Sequence, residues 1–406
     1  NIAEALIYAG ANLEAATRLG GYTPLHLAAR TGRGQVARIL VESGADVNAP
    51  TTTGEVTPLH FAAGSGDVEV VRVLLEHGAI VDAREIQWGQ TPLMFAAAKN
   101  RNATVRELLL AGADPLITAK VVDIAAREEI DREDQRDGSS AGATRTLAQE
   151  SRSCPVNDMA CLARVSASRE RDVVLPAKEG QQQGALTGFA ERERLLGTTE
   201  IDPLSYADLV SKQGGLTALL LAAREGHQEA VESLLAGGAD IDQVSVGDHT
   251  SSILMAAING HFDLMLYLLD NGADSTIASD AGATPLYGVL NTHWQPKTRH
   301  PQPTDYRQQE ASYLEAMTAL LDGGADVNAR LERPLWYTTY NNDLLRTERT
   351  GATVFWRAAY ATDIDAMRLL LSYGADPTIP TARGPSRFRT SPERLDASGL
   401  PPVPLG

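Results

Sequence analysis

Apolar residues in this chain recur in a fixed two-part unit. Thr23-Pro24-Leu25-His26-Leu27-Ala28-Ala29 returns as Thr57-Pro58-Leu59-His60-Phe61-Ala62-Ala63 and as Thr91-Pro92-Leu93-Met94-Phe95-Ala96-Ala97, each copy 34 residues after the last. Weaker copies begin at Thr217, Ser251, Thr284 and Thr353. A leucine pair follows the leading threonine by 17 and 18 residues, as in Leu74-Leu75, Leu108-Leu109, Leu234-Leu235, Leu268-Leu269 and Leu370-Leu371. A Gly-Ala-Asp run, at Gly44, Gly112, Gly238, Gly272, Gly324 and Gly374, comes next. Each part has a physical reading. Thr before Pro caps a helix, and Pro at the first helical position gives up an N–H that has no partner there. Two alanines let a short helix pack closely on its neighbours. The leucine pair is the buried stripe of a second helix. Glycine then closes that helix in a left-handed turn. The unit predicts a helix pair that cannot bury its own apolar face, so that the stack itself becomes the core.

These motifs resemble the ankyrin-repeat family. Seven repeats and a leading half-repeat, Ile2 to Asn12, are counted. The resemblance implies an all-α solenoid of stacked helix-turn-helix repeats with short β-hairpin fingers. It also implies that partners are bound by the finger tips and by the concave face of the inner helices. For His26, His60, His227 and His261 it implies structural hydrogen bonds rather than acid–base chemistry.

The period breaks in three places. Thr91 and Thr217 lie 126 residues apart, leaving about 93 beyond one repeat. The expected organisation is N-terminal repeats over 1–119, a long polar insertion over 120–213, C-terminal repeats over 214–377, and a Pro-rich tail or linker over 378–406. The insertion is charged and then Gly/Ser/Ala-rich, which reads as loop. Apolar pieces at Val121–Ala126 and Leu204–Val210 predict that part of it docks on the solenoid. The sixth repeat carries two shorter insertions holding Trp294, Tyr306, Trp336, Tyr337 and Tyr340.

Charge and composition narrow the function. A formal charge of −16 argues against a general nucleic-acid binder, which needs basic faces to neutralise phosphates. No apolar run approaches the ~20 residues that span a bilayer. No initiator Met or signal peptide stands at Asn1, so the chain reads as an internal fragment or a mature form. Decorated layouts of this kind resemble exported bacterial ankyrin proteins, and with the cysteine pair they point to a periplasmic or secreted location, the cytoplasm being the alternative.

Candidate chemistry is sparse. Gly138-Ser139-Ser140-Ala141-Gly142 matches a nucleophile elbow, but Glu129 to Asp137 before it is nearly all charged, so the strand that such an elbow requires is missing. Cys154 and Cys161, the only cysteines, either close a local disulfide or stand as two thiols; with no histidine nearby they do not make a zinc site. The sequon Asn102-Ala103-Thr104 opens an outer helix and reads as accidental. No cofactor is called for, and no constellation supports an enzyme.

The expected function is non-catalytic binding of another protein. The candidate contacts are Trp88, Gln90 and His249 at finger tips, Arg30, Lys99, Arg224, Asn259 and Trp356 on the concave helices, and Trp294, Trp336 and Tyr337 in the insertions. Trp, Tyr and Arg are the types that dominate interface energy. For Trp294 and Trp336 an equal alternative is that they pin their own loops to the solenoid. The rival function is structural: copies stacking end to end into a homo-oligomer or filament.

Overall fold

The computed structural model describes residues 2–131, 206–294, 305–335 and 349–381. Cys154, Cys161, Trp336 and Tyr337, with the elbow-like segment at 138–142, lie outside them. The first compact unit comprises Asn1–Ile124 and Leu204–Ala382; of the second, Ala125–Pro203 with Arg383–Gly406, the described residues 125–131 are helical.

The first unit opens with α1 (Ile2–Tyr8) and continues in helix pairs: α2 (Pro24–Arg30) with α3 (Gly34–Glu42), α4 (Pro58–Ser65) with α5 (Val68–Glu76), and α6 (Pro92–Ala97) with α7 (Asn102–Leu110). Strand β1 (Val121–Asp123), the short α8 (Tyr206–Val210) and strand β2 (Lys212–Gly214) follow. The pairs then resume as α9 (Ala218–Arg224) with α10 (Gln228–Ala236), α11 (Ser252–Asn259) with α12 (Phe262–Asp270), α13 (Pro285–His293) with α14 (Tyr313–Asp322), and α15 (Val354–Tyr360) with α16 (Ile364–Ser372).

The caps form as the sequence predicts. The hydroxyls of Thr91, Thr217, Ser251, Thr284 and Thr353 each accept the N–H of the third helical residue, at 3.1–3.4 Å. Every outer helix from α3 onward ends before a glycine in the left-handed region, such as Gly44 at φ 93° and Gly272 at φ 91°. Inner helices stack in chain order, α2 on α4 on α6 and so on to α15. The alanine pairs between them are fully buried from Ala62-Ala63 to Ala256-Ala257, and the shared core runs from Leu25 to Ala375.

The long insertion does not interrupt the stack. Helix α6 packs on α9 and α7 on α10, the Ser233 hydroxyl donates to Asn102 Oδ1, and Gln243 Nε2 donates to the Leu116 carbonyl at 3.0 Å. The chain leaves and re-enters at a finger tip. There β1 and β2 pair antiparallel with Val121 opposite Gly214. Gly214 has φ +94°, and a Cβ on it would run into the Lys120 carbonyl, so only glycine closes this neck. Of the apolar pieces read from the sequence, Ala207 and Val210 are buried.

Finger tips are joined by backbone hydrogen bonds rather than by extended strands. Thr52 N donates to Gly20 O, Ile86 N to Gly54 O, Lys120 N to Trp88 O, Val246 N to Gly215 O, and Asp280 N to Asp248 O. This ladder runs straight across the insertion neck.

Candidate functional site

The inner helices carry the features that a binding face needs. In the first three repeats the fourth residue after the capping hydroxyl keeps some exposure, Leu27 at 42% and Phe61 and Phe95 half-buried, whereas its counterparts Leu221, Met255, Gly288 and Arg357 are buried. The two phenylalanine rings are held by edge-to-face contacts: Phe61 lies 5.6 Å from Tyr22 and 5.8 Å from His26, and Phe95 lies 5.2 Å from His60. Between Phe61 and the end of its helix comes Gly64, where a Cβ would stand 3.8 Å from the Phe95 ring. The result is an apolar floor set in place before any partner arrives.

His26 and His60 hold this floor. Nδ1 of His26 accepts the Thr23 N–H at 3.1 Å and lies 2.8 Å from the Thr23 hydroxyl, while Nε2 lies 3.0 Å from the Val56 carbonyl of the next finger. His60 repeats the arrangement with Thr57 and the Gln90 carbonyl. Acceptance at Nδ1 with donation at Nε2 assigns the neutral Nε2–H tautomer. Burial lowers both imidazole pKa values, in agreement. His261 Nε2 meets the Arg224 carbonyl at 3.0 Å. His26, His60 and His261 therefore splice neighbouring repeats.

The residues singled out from sequence are spread along this face. Arg30, Lys99 and Arg224 are exposed where inner helices end, with Arg224 Nε 2.9 Å from Glu225. Trp88 is 51% exposed at its finger tip, and Gln90 is half-buried, its carbonyl taken by His60. The tip is stiff because the buried Glu85 carboxylate accepts the backbone N–H groups of Gln87, Trp88 and Gln90. His249 Nδ1 stands 2.7 Å from Asp280 on the next finger. Asn259 is half-buried and folds back, its Nδ2 donating to the Met255 carbonyl of its own helix. Trp356 stacks on Tyr360 at 5.2 Å and is half-buried against the core.

Trp294 is brought into a different group. Its Nε1 donates to Asp363 Oδ2 at 2.7 Å, and the Tyr313 hydroxyl donates to the same oxygen at 2.9 Å. Asp363 Oδ1 caps α16 by accepting the Ala366 N–H. Burial pushes the Asp363 pKa up, but these bonds together hold it below the usual carboxylate value. His293 stacks on Tyr313 at 3.7 Å, and Arg357 donates to Asn291 Oδ1 and to the Trp294 carbonyl. The described end of the first insertion of the sixth repeat is held to α12, since Asp263 accepts the N–H groups of Glu310 and Ala311 at 2.9 Å. The polar edge of Trp294 is thus used in pinning, with its ring 41% exposed.

Sequence reasoning missed the floor itself. Leu27, Phe61 and Phe95 look like core residues in a one-dimensional pattern, and only their shared phase within the repeat hinted otherwise. The sequon is taken up in packing: Asn102 receives Ser233, and Thr104 is fully buried. Among the described residues no group of three or more His, Cys, Asp or Glu is placed to hold a metal ion, and no helix is long and apolar enough to cross a membrane.

The matching family models agree with this architecture. The model for ankyrin repeats (3 copies) matches residues 50–119 and 193–279, and that for the single ankyrin repeat matches residues 20–52. No curated protein matches the chain. Among solved structures, the chain is similar to the human ASB11 ankyrin repeat domain at 19% identity and a TM-score of 0.48, covering 88% of this chain and 100% of that one. The period, the caps, the stacked helix pairs and the matched models together make the fold an all-α solenoid of ankyrin repeats.

Proposed function

We propose that this protein is a non-catalytic binding module that holds another protein along the inner face of its repeats. Ankyrin repeats are generally protein–protein interaction modules, and the observation that carries the reading here is the set of partly exposed apolar side chains on the first three inner helices, Leu27, Phe61 and Phe95, with Trp88 exposed on a finger tip. Rigid aromatic side chains lose little entropy when a partner covers them, which is why they anchor interfaces. Among the described residues, His26, His60, Asp67 and Asp363 serve in capping helices and in joining repeats.

A photo-crosslinking residue at position 61 or 95, with a control at the outward-facing Arg106, tests this in extract of the source cells. Crosslinks to a discrete protein are expected from the inner positions alone. Equal capture from position 106 would refute the assignment of the face.

A second reading, association of copies through their ends, draws on α1, where Ile2, Leu6 and Tyr8 are 82%, 57% and 95% exposed beside an apolar cleft of about 550 Å³ lined by Leu6, Ile7, Leu27 and Leu40. Light scattering across a concentration series separates the two: a constant mass leaves the binding module, and a rising mass supports assembly.

A further inference from the structure

Two repeats carry phenylalanine at the fourth position after the capping hydroxyl, Phe61 and Phe95; the others have Leu27, Leu221, Met255, Gly288 and Arg357 there. Two repeats carry histidine at the third position, His26 and His60; the others have Met94, Leu220, Leu254, Tyr287 and Trp356. Each phenylalanine stands in the repeat that follows a histidine, and the stack brings each pair together. The rings of His26 and Phe61 meet edge to face at 84°, and those of His60 and Phe95 at 72°. Among the described residues these are the two fully buried histidines, while both phenylalanines keep some exposure. Helices α4 and α6, which carry the phenylalanines, have no Asp, Glu, Lys or Arg. Among the described residues, the charged groups acting on His26 are Glu14 and Asp46, with the Tyr22 phenol beside it. The one acting on His60 is Glu85, whose carboxylate is engaged by the backbone of the Trp88 finger tip.

We infer that protonation of His26 and His60 releases the phenylalanine of the following repeat, so that the inner face of the first three repeats is set at neutral pH and loosened in acid. In the neutral ring, Nδ1 accepts the N–H of the capping threonine and Nε2–H reaches a carbonyl of the next finger. A second proton enters at Nδ1. There it points at the Thr23 or Thr57 N–H, leaves that amide without its acceptor, and puts a full charge in a buried site. The imidazolium regains water by leaving, and the edge against which Phe61 or Phe95 lies goes with it. For His60 the link to the Gln90 carbonyl is lost too, which loosens the finger that carries Trp88. The opening stays local, because each repeat of a solenoid is held only by its neighbours. A partner covering these side chains is then bound by the neutral form alone. One unit below the folded pKa of one histidine, about a tenth of the molecules stay competent, and affinity falls about tenfold. The effect on a partner rests on the inner-face reading; the movement of the rings does not.

The test places para-fluorophenylalanine at position 61 or 95 of the whole protein. The solvent isotope shift of the fluorine, which reads water at the ring rather than charge nearby, is followed from about pH 7.5 to about pH 5. Circular dichroism of the same samples reports the helices. The isotope shift is expected to rise at both positions as pH falls, while the helix signal holds. His26→Gln should abolish the pH dependence at position 61 and keep it at 95, and His60→Gln should do the reverse. Crosslinked capture through position 61 should fall about tenfold over the same range, and in the His26→Gln, His60→Gln double variant it should not change with pH. Isotope shifts that stay flat would overturn the inference: the Thr57 hydroxyl, 2.9 Å from Nδ1, takes the added proton in place, or none is taken up. Loss of the helix signal at the same pH would overturn it as well, by making the release a global unfolding. Rings that open while capture stays constant would leave the gate standing and remove the inner face as the binding surface.

Discussion

Thr104 is the third residue of α7 and is fully buried, yet its hydroxyl has no hydrogen-bond partner among the described residues. Counted eight residues before the closing glycine, the corresponding residues of α3, α5, α10, α12, α14 and α16 are Val36, Val70, Ala230, Leu264, Ala316 and Ala366, all apolar. Only the repeat that precedes the long insertion places an oxygen there. Burying a hydroxyl without a partner costs roughly 1–3 kcal/mol. Thr104→Val keeps both branches of the side chain and the same χ1 stiffness, so it opens no cavity and adds no strain. Helix propensity barely distinguishes the two residues. The expected gain is therefore about 1 kcal/mol, near the lower bound because surrounding groups relax. That is about a fivefold change in the folded-to-unfolded ratio. Urea unfolding followed by circular dichroism should show a higher midpoint with an unchanged slope. Hydrogen exchange should place the added protection in α7 and its stacking partners α5 and α10, since solenoid stability is carried by each repeat and its neighbours. Thr104→Ala gives up the methyl group as well and should gain less or lose stability. Should Thr104→Val unfold at lower urea than the parent, the hydroxyl is satisfied and the reasoning fails.

Asn48 Oδ1 accepts the Ile80 N–H while its Nδ2 donates to the Gly78 carbonyl, and Asn328 does the same with Asp376 and Gly374, whereas Asp82 and Asp242 can only accept, from Asp114 and Asp274. Burial, with Asp114 close by, raises the Asp82 pKa, a penalty present at neutral pH and relieved as pH falls through the folded value; Asp82→Asn should add about 0.5–1 kcal/mol at pH 7 by thermal melting, and a lower melting point would contradict the pairing. His26 and His60 have folded pKa values below the ordinary 6.5, so their contribution is complete above pH 6.5 and is lost as pH falls from there through the folded values. His26→Gln with His60→Gln should lower the melting point at pH 7.5 and shrink the drop between pH 7 and 5; an undiminished drop would mean that other groups carry it. Trp294→Phe removes the indole N–H from Asp363 and keeps most of the ring, so it should destabilise the last repeat by roughly 1.5–3 kcal/mol without weakening partner capture, and a binding loss with no stability loss would reverse the pinning assignment.

Local chemistry made much of the fold legible. A Thr before Pro, two alanines, a leucine pair and a glycine each act within a few residues, and a 34-residue recurrence repeats that instruction until helix pairs and their order of stacking are settled. The resemblance to ankyrin repeats also implied structural histidines, and His26, His60 and His261 do bond the backbone of neighbouring repeats. Other features needed contacts between residues far apart in the chain. That the stack runs unbroken from α6 to α9 rests on Ser233 meeting Asn102 and Gln243 meeting Leu116, pairs more than a hundred residues apart. That Trp294 is tied to Asp363 rests on a bond across 69 positions. The groove floor is the clearest case. Apolar patterning marks Leu27, Phe61 and Phe95 as hydrophobic, but it cannot say which side of a short helix a neighbouring repeat will cover. That is decided only when the repeats pack, one face going into the core and the other left open between the fingers and the helix ends.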